Sequence, residues 1–134
     1  MILFAISLKP TKLIAEDVVA SPCYFNQSNM DCIKNLVNRY AKKYQVSSKK
    51  MLAIISCESQ NDPNSVNENI RKGKVWSRDR GLMQLNDFFQ KDEAEKMGLS
   101  IYNMEDNVEF GAYLMSKQGT IPWSASRKCW SRAV

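Results

Sequence analysis

Glu58 and Asp79 are the two carboxylates of this chain whose sequence settings suit chemistry. Glu58 sits in Ile54-Ile55-Ser56-Cys57-Glu58-Ser59-Gln60, an acid at the end of an apolar segment. Asp79 lies in Ser77-Arg78-Asp79-Arg80-Gly81-Leu82-Met83-Gln84-Leu85-Asn86, beside a Gly-x-x-Gln turn. A carboxyl group held out of water keeps its proton near neutral pH and can donate it. Cleaving a glycosidic bond needs such a proton for the leaving oxygen, and negative charge near the developing oxocarbenium ion. Glu58 suits the first task and Asp79, in a polar stretch where it can stay ionised, suits the second. Each has a plainer explanation. Glu58 could be a helix-end carboxylate paired with one of the nineteen basic residues. Asp79 could simply pair with Arg78 or Arg80.

The Gly81-Leu82-Met83-Gln84 turn adds shape. Gly81 lets backbone approach a ligand closely. Gln84 and Asn86 offer the paired donors and acceptors that sugar hydroxyls and N-acetyl groups match. The plain alternative is a tight turn packed by Leu82 and Met83. Trp76, Trp123, Trp130 and the tyrosines could stack on sugar rings. Trp130 is assigned to the core because Cys129 adjoins it.

These residues need elements to position them. A first helix is expected from about Met30 to Tyr44, where Ile33, Val37, Tyr40 and Tyr44 recur at helical spacing. A second should run from about Lys49 to Ser59, capped by Ser47 or Ser48. Met51, Ile54, Ile55 and Glu58 then share one face, so Glu58 points with the apolar stripe. Asn61-Asp62-Pro63-Asn64 stops this helix. Residues 64–80 read as a polar loop with at most one helical turn. Gly81 to Phe89 reads as a turn leading into a short helix. Lys91 to Met97 is helical and stops at Gly98. Asn103 caps a helix from about Met104 to Gln118 that Gly119 ends, with small residues allowing close helix approach. No alternating apolar run is long enough for a sheet, so the expected fold is mainly α.

Bulk properties set the class. With 134 residues, 44% hydrophobic and 25% charged, the chain suits one globular domain with one core. A net charge of +5 favours anionic partners such as nucleic acid, acidic lipid or an anionic wall polymer. There is no His, so relays and metal sites that need it are excluded. The four Cys (Cys23, Cys32, Cys57, Cys129) fit two disulfides with three possible pairings, hence an oxidising compartment. Four buried thiols in a reducing compartment are the alternative. Residues 1–20 read as a degenerate export signal or N-terminal extension. Met1 to Leu8 is apolar but too short to span a bilayer, and Val18-Val19-Ala20 resembles a cleavage site.

Four segments in order carry a family resemblance. They are Ile55-Ser56-Cys57-Glu58-Ser59, Pro63-Asn64-Ser65-Val66, Gly81-Leu82-Met83-Gln84-Leu85 and Asp106-Asn107-Val108-Glu109-Phe110-Gly111-Ala112-Tyr113-Leu114. Together they resemble the soluble lytic transglycosylase (SLT) domain of the lysozyme-like superfamily, over about residues 35–130. The resemblance implies a lysozyme-like single domain (residues 21–134) with an active-site cleft that cleaves the MurNAc–GlcNAc bond of peptidoglycan. It implies Glu58 as the acid/base, Ser59 and Gln84 as site residues, and Asn107 as structural. Gly81, Met83 and Asn86 join the expected substrate-binding set. The family's late Tyr-Asn-Ala-Gly stretch is replaced by Pro122-Trp123-Ser124-Ala125-Ser126, with Trp123 taken as the substitute for its Tyr. The run Ser77-x-Asp79-x-Gly81-x-x-Gln84-x-Asn86 is similar to animal-type lysozymes, where that Asp is a second catalytic carboxylate.

The expectation is a secreted, periplasmic or envelope enzyme, monomeric, acting on peptidoglycan glycan strands without metal or cofactor and with no stable membrane span. Its product could be a 1,6-anhydro end from a lyase or a reducing end from a muramidase. A non-catalytic wall-sugar-binding module is the alternative of another class. A nucleic-acid binder has no motif to support it.

Overall fold

A computed structural model describes Cys23 and residues 30–134. The export signal or extension expected in residues 1–20 lies outside the described residues.

The helices follow the apolar periodicity. Helix α1 (Met30–Tyr44) buries Cys32, Ile33, Leu36, Val37, Tyr40 and Ala41 along one stripe, with Asp31 in its first turn and Lys42 and Lys43 in its last. That charge order complements the helix dipole. Helix α2 (Ser48–Ser59) begins at Ser47, whose side chain accepts a hydrogen bond from the Lys50 backbone N–H, and ends at Gln60 in the left-handed region. Helix α3 (Lys91–Lys96) is short. Helix α4 (Met104–Gln118) starts at Asn103, whose side chain accepts from the Asp106 N–H, and stops at Gly119. A 3-10 turn (Ile121–Ser126) leads into α5 (Arg127–Trp130), and a second turn (Ser131–Ala133) follows.

Helix α1 packs against α4 and α2. Phe110, Ile33, Leu36, Met51, Ile54 and Ile55 are among the fully buried side chains of this core. Burial of that kind contributes about 1.5–3 kcal/mol per large side chain. Polar groups at the rim fix the pairing of α1 with α4. Tyr40 donates to Glu105 at 2.6 Å and Arg39 pairs with Glu105 at 2.9 Å. Lys43 and Tyr44 both donate to the buried Glu109.

The polar stretch expected to be a loop is a sheet. Strands β1 (Val66–Arg71), β2 (Lys74–Arg80) and β3 (Leu85–Asn86) form an antiparallel sheet in the order β1-β2-β3. Its two-residue turn, Lys72 and Gly73, has φ of 51° and 73°. Positive φ at both central residues is what a tight hairpin requires. The sheet escaped the apolar-alternation test because its faces are mostly wet. Val66, Ile70 and Val75 are exposed, and the paired positions carry Asn, Ser and Asp. The short helix expected within Gly81–Phe89 is likewise absent: β3 and turns occupy that segment.

Two disulfides settle the pairing left open by the sequence: Cys23–Cys32 and Cys57–Cys129. The second ties the end of α2 to α5 across 72 residues of sequence. Among the described residues, no helix is long and apolar enough to cross a membrane.

Candidate active site

Helix phase delivers Glu58. Met51, Ile54 and Ile55 are fully buried, and Glu58 continues their stripe at the point where α2 leaves the core. It is consequently half-buried, and desolvation pushes its pKa above the ordinary carboxylate value. A hydrogen bond donated by the Ser126 hydroxyl opposes this, and the negative charge of Asp79 reinforces it. No basic side chain is salt-bridged to Glu58 among the described residues, so the helix-end ion pair is not what holds it.

Sheet register delivers Asp79. Asn67 faces Asp79 and Asn69 faces Ser77 across β1 and β2, while Asp79 faces Asn86 across β2 and β3. Directly opposed residues share a face. Asn69 Nδ2 donates to Asp79 Oδ2 at 3.0 Å and to Ser77 Oγ at 3.1 Å. Asn86 Nδ2 donates to Asp79 Oδ1 at 2.8 Å and to Ser77 Oγ at 3.0 Å. Both carboxylate oxygens are therefore held by neutral amides. The flanking arginines turn elsewhere: Arg78 pairs with Glu68 at 3.1 Å, and Arg80 lies 3.5 Å from Asp87.

A pocket of about 380 Å³ opens at Glu58, with Ser59, Asp62, Ser65 and Asn67 in its walls. Asp79 lies outside those walls, yet its charge reaches Glu58. A second hollow of about 220 Å³ meets the first at Ser65 and is bordered by Arg80, Gly81, Tyr102 and Asn107. No carboxylate lines it.

Several expected binding residues serve other ends. Gly81, at φ 74°, makes its close approach to Asn107 rather than to open space: a Cβ there would lie 2.6 Å from Asn107 Nδ2. Asn107 in turn donates to the carbonyls of Arg80 and Ile101 and accepts from the Met83 N–H, each at 2.9 Å. Met83 is fully buried, so its side chain is core and does not face a ligand. It fills the space that Gly111 leaves on α4, so that glycine admits a side chain of the turn rather than another helix.

Trp123 corrects the expectation in the same way. It is 2% exposed, and its indole N–H donates to the Met83 carbonyl at 2.8 Å. The ring is a strut between the C-terminal segment and the turn, because a buried indole N–H needs a partner. Trp130 is core as expected, donating to the Trp123 carbonyl at 3.0 Å. Ser59 reaches the pocket wall but is 6% exposed, and its hydroxyl donates to Ile55 O within α2. Gln84, in the left-handed region at φ 49°, donates to Ser65 O and Gly81 O and accepts from Asn67. It braces the turn against β1. Asn86 holds Asp79.

Sequence reasoning missed Asn67, Asn69 and Ser126. The first two had a signal. Asn67-x-Asn69 and Ser77-x-Asp79 alternate with period two on either side of Lys72-Gly73, which is a polar hairpin pattern. Ser126 had none, since it meets Glu58 across 68 residues of sequence.

The arrangement can donate a proton from a desolvated carboxyl beside a fixed negative charge, within an open, polar-walled pocket. No curated protein matches the chain by sequence. The model of the transglycosylase SLT domain matches residues 35–122, and the mainly helical architecture with its small sheet agrees with the lysozyme-like fold of that domain. The chain thus belongs to the transglycosylase SLT domain family, whose members act on peptidoglycan.

Proposed function

We propose that this chain is a lytic transglycosylase cleaving the MurNAc–GlcNAc β-1,4 bond, with Glu58 as acid and then base. The observation that carries the reading is the Glu58 carboxyl, desolvated on a pocket wall with its pKa raised and with no salt-bridged cation among the described residues. In its protonated form it gives the leaving GlcNAc oxygen its proton as the glycosidic bond breaks. The resulting carboxylate accepts the proton of the MurNAc C6 hydroxyl as that oxygen closes on C1, leaving a 1,6-anhydro end. Ser126 stabilises the carboxylate form, and Asp79 places negative charge near the developing oxocarbenium ion. No step calls for a metal or cofactor. Disulfides and an anionic wall substrate support a location outside the cytoplasm.

A second reading, hydrolysis with Asp79 as the second carboxylate, is supported by one specific feature. Asp79 is clamped by Asn69 and Asn86 and forms no ion pair among the described residues, although arginines flank it. Such a carboxylate has a fixed orientation, as a nucleophile or electrostatic stabiliser needs.

Purified cell wall digested with the protein and analysed by mass spectrometry decides between them. Anhydro-muramyl ends are expected, whereas reducing ends would replace the lyase by the hydrolase. Glu58→Gln should abolish clearing of a wall suspension. Clearing at the parental rate would remove Glu58 from the chemistry.

A further inference from the structure

A continuous strip of contacts runs from Asp79 to the tip of the hairpin. Asn86 holds Asp79 Oδ1 with its amide nitrogen, and its Oδ1 accepts the backbone N–H groups of Phe88 at 3.0 Å and Phe89 at 3.2 Å. Those two rings lie 5.0 Å apart and both meet Trp76 edge to face, at 5.4 and 5.7 Å. The Arg71 guanidinium sits over the Trp76 ring, 4.3 Å from its centroid. Arg71, Lys72 and Lys74 then crown the turn.

Two properties of this strip are unusual for a plain surface. Phe88 is 64% and Phe89 67% exposed, in mutual contact rather than scattered. The three cations at the tip are exposed and have no carboxylate within ion-pair distance among the described residues, the nearby Glu68 being taken by Arg78. Like charges at a tight turn repel one another, and of the three only Arg71, over Trp76, has a ring contact among the described residues. Aromatic rings flanked by cations without a carboxylate partner fit a ligand that has both an apolar sugar face and negative charge.

We propose that this strip is a subsite for anionic glycopeptide. A sugar ring rests on the exposed Phe88 and Phe89, which Trp76 braces, and the free carboxylates of the peptide stem pair with Arg71, Lys72 and Lys74. The proposal rests on the peptidoglycan reading and deepens it: the protein selects strands bearing charged stems over neutral aminosugar polymers. An anionic lipid surface would meet the same charges, but offers no sugar and has no reason to adjoin Asp79.

The Glu58→Gln protein provides a binding assay without turnover. Its dissociation constants are measured by calorimetry for a disaccharide-tetrapeptide with free stem carboxylates and for the same fragment fully amidated. The free form should bind about fivefold tighter, a ratio in keeping with exposed charge pairs. Lys72→Glu/Lys74→Glu should erase that ratio, and Phe88→Ala/Phe89→Ala should weaken both fragments alike. All four positions are exposed, and circular dichroism and melting confirm that each variant is folded. Equal binding of the two fragments by the Glu58→Gln protein, or a ratio that survives charge reversal, overturns the proposal. So does a charge-reversal effect confined to phosphatidylglycerol vesicles. Failure of the catalytic reading is separate, because it appears as absent wall cleavage by the parent protein while the binding ratio stands.

Discussion

The Ser126 hydroxyl donates a hydrogen bond to the Glu58 carboxyl, joining the C-terminal segment to the end of α2. A bond of this kind favours the charged form of an acid. It therefore works against the desolvation that holds the proton on Glu58. Ser126→Ala should raise the Glu58 pKa further. Because proton donation requires the protonated acid, the alkaline limb of the kcat/KM profile should move to higher pH. An unshifted limb would mean that the hydroxyl does not tune this carboxyl.

Asp79 acts in the opposite direction, since its negative charge raises the Glu58 pKa. Asp79→Asn should move the same alkaline limb to lower pH. It should also reduce kcat by roughly a hundredfold, the usual cost of losing one preorganised electrostatic group. Asn can accept from only one of the Asn69 and Asn86 amides and turns its own NH2 toward the other, so a loss of about 1 kcal/mol in stability should accompany the change. A parental profile and rate would place Asp79 outside the mechanism.

Glu58 should itself be a stability liability. Burial holds its folded pKa above the ordinary carboxylate value, so the folded state binds more protons than the unfolded chain. Stability is then lost as pH rises through the window between those two pKa values. Glu58→Gln should be more stable than the parent at pH 7, with the difference vanishing below about pH 4. Urea denaturation at both pH values measures this. A variant equally stable at pH 7 would show that the carboxylate is not desolvated in solution.

Gly81 should tolerate no side chain. A Cβ there would meet Asn107 Nδ2 at 2.6 Å, at a φ of 74° that L residues avoid. Left-handed strain adds about 1–2 kcal/mol, and displacing Asn107 breaks its three hydrogen bonds to Met83, Arg80 and Ile101. Gly81→Ala should destabilise the protein by about 4–5 kcal/mol in all, with each of the three lost bonds contributing about 1. A denaturant midpoint within error of the parent would contradict this account of the turn.

The Cys57–Cys129 link spans 72 residues, which predicts a stabilisation of about 4 kcal/mol by loop-closure entropy. It also secures the segment that carries Ser126 and Trp123. Replacing both cysteines by Ala should lower the melting temperature. It should also move the pH profile in the same direction as Ser126→Ala, because the hydroxyl is no longer held at Glu58. A lower melting temperature with an unmoved profile would separate the two roles.

Much of the helical frame is legible in the sequence. Ser47 and Asn103 announce α2 and α4 by their caps, and Gly119 ends α4 where expected. The sheet is not legible by apolar alternation, because Ile70 and Val75 point to water while Asn69, Ser77 and Asp79 bind one another. Its pairing register, with an irregularity between Asn69 and Ile70, decides which Asn reaches Asp79. Trp123 misled for a related reason. An indole next to a site residue in a family pattern looks like a sugar platform until its N–H is found on a buried carbonyl.

What the chain determines by itself is the position of Glu58 on the oily stripe of α2, because helical phase depends only on neighbours three and four residues away. The tertiary structure alone decides what surrounds that carboxyl. Ser126, Asp79 and the Cys57–Cys129 link reach it from distant parts of the sequence. Their approach depends on sheet register and on the packing of Trp123 and Met83, and neither is written in any local period.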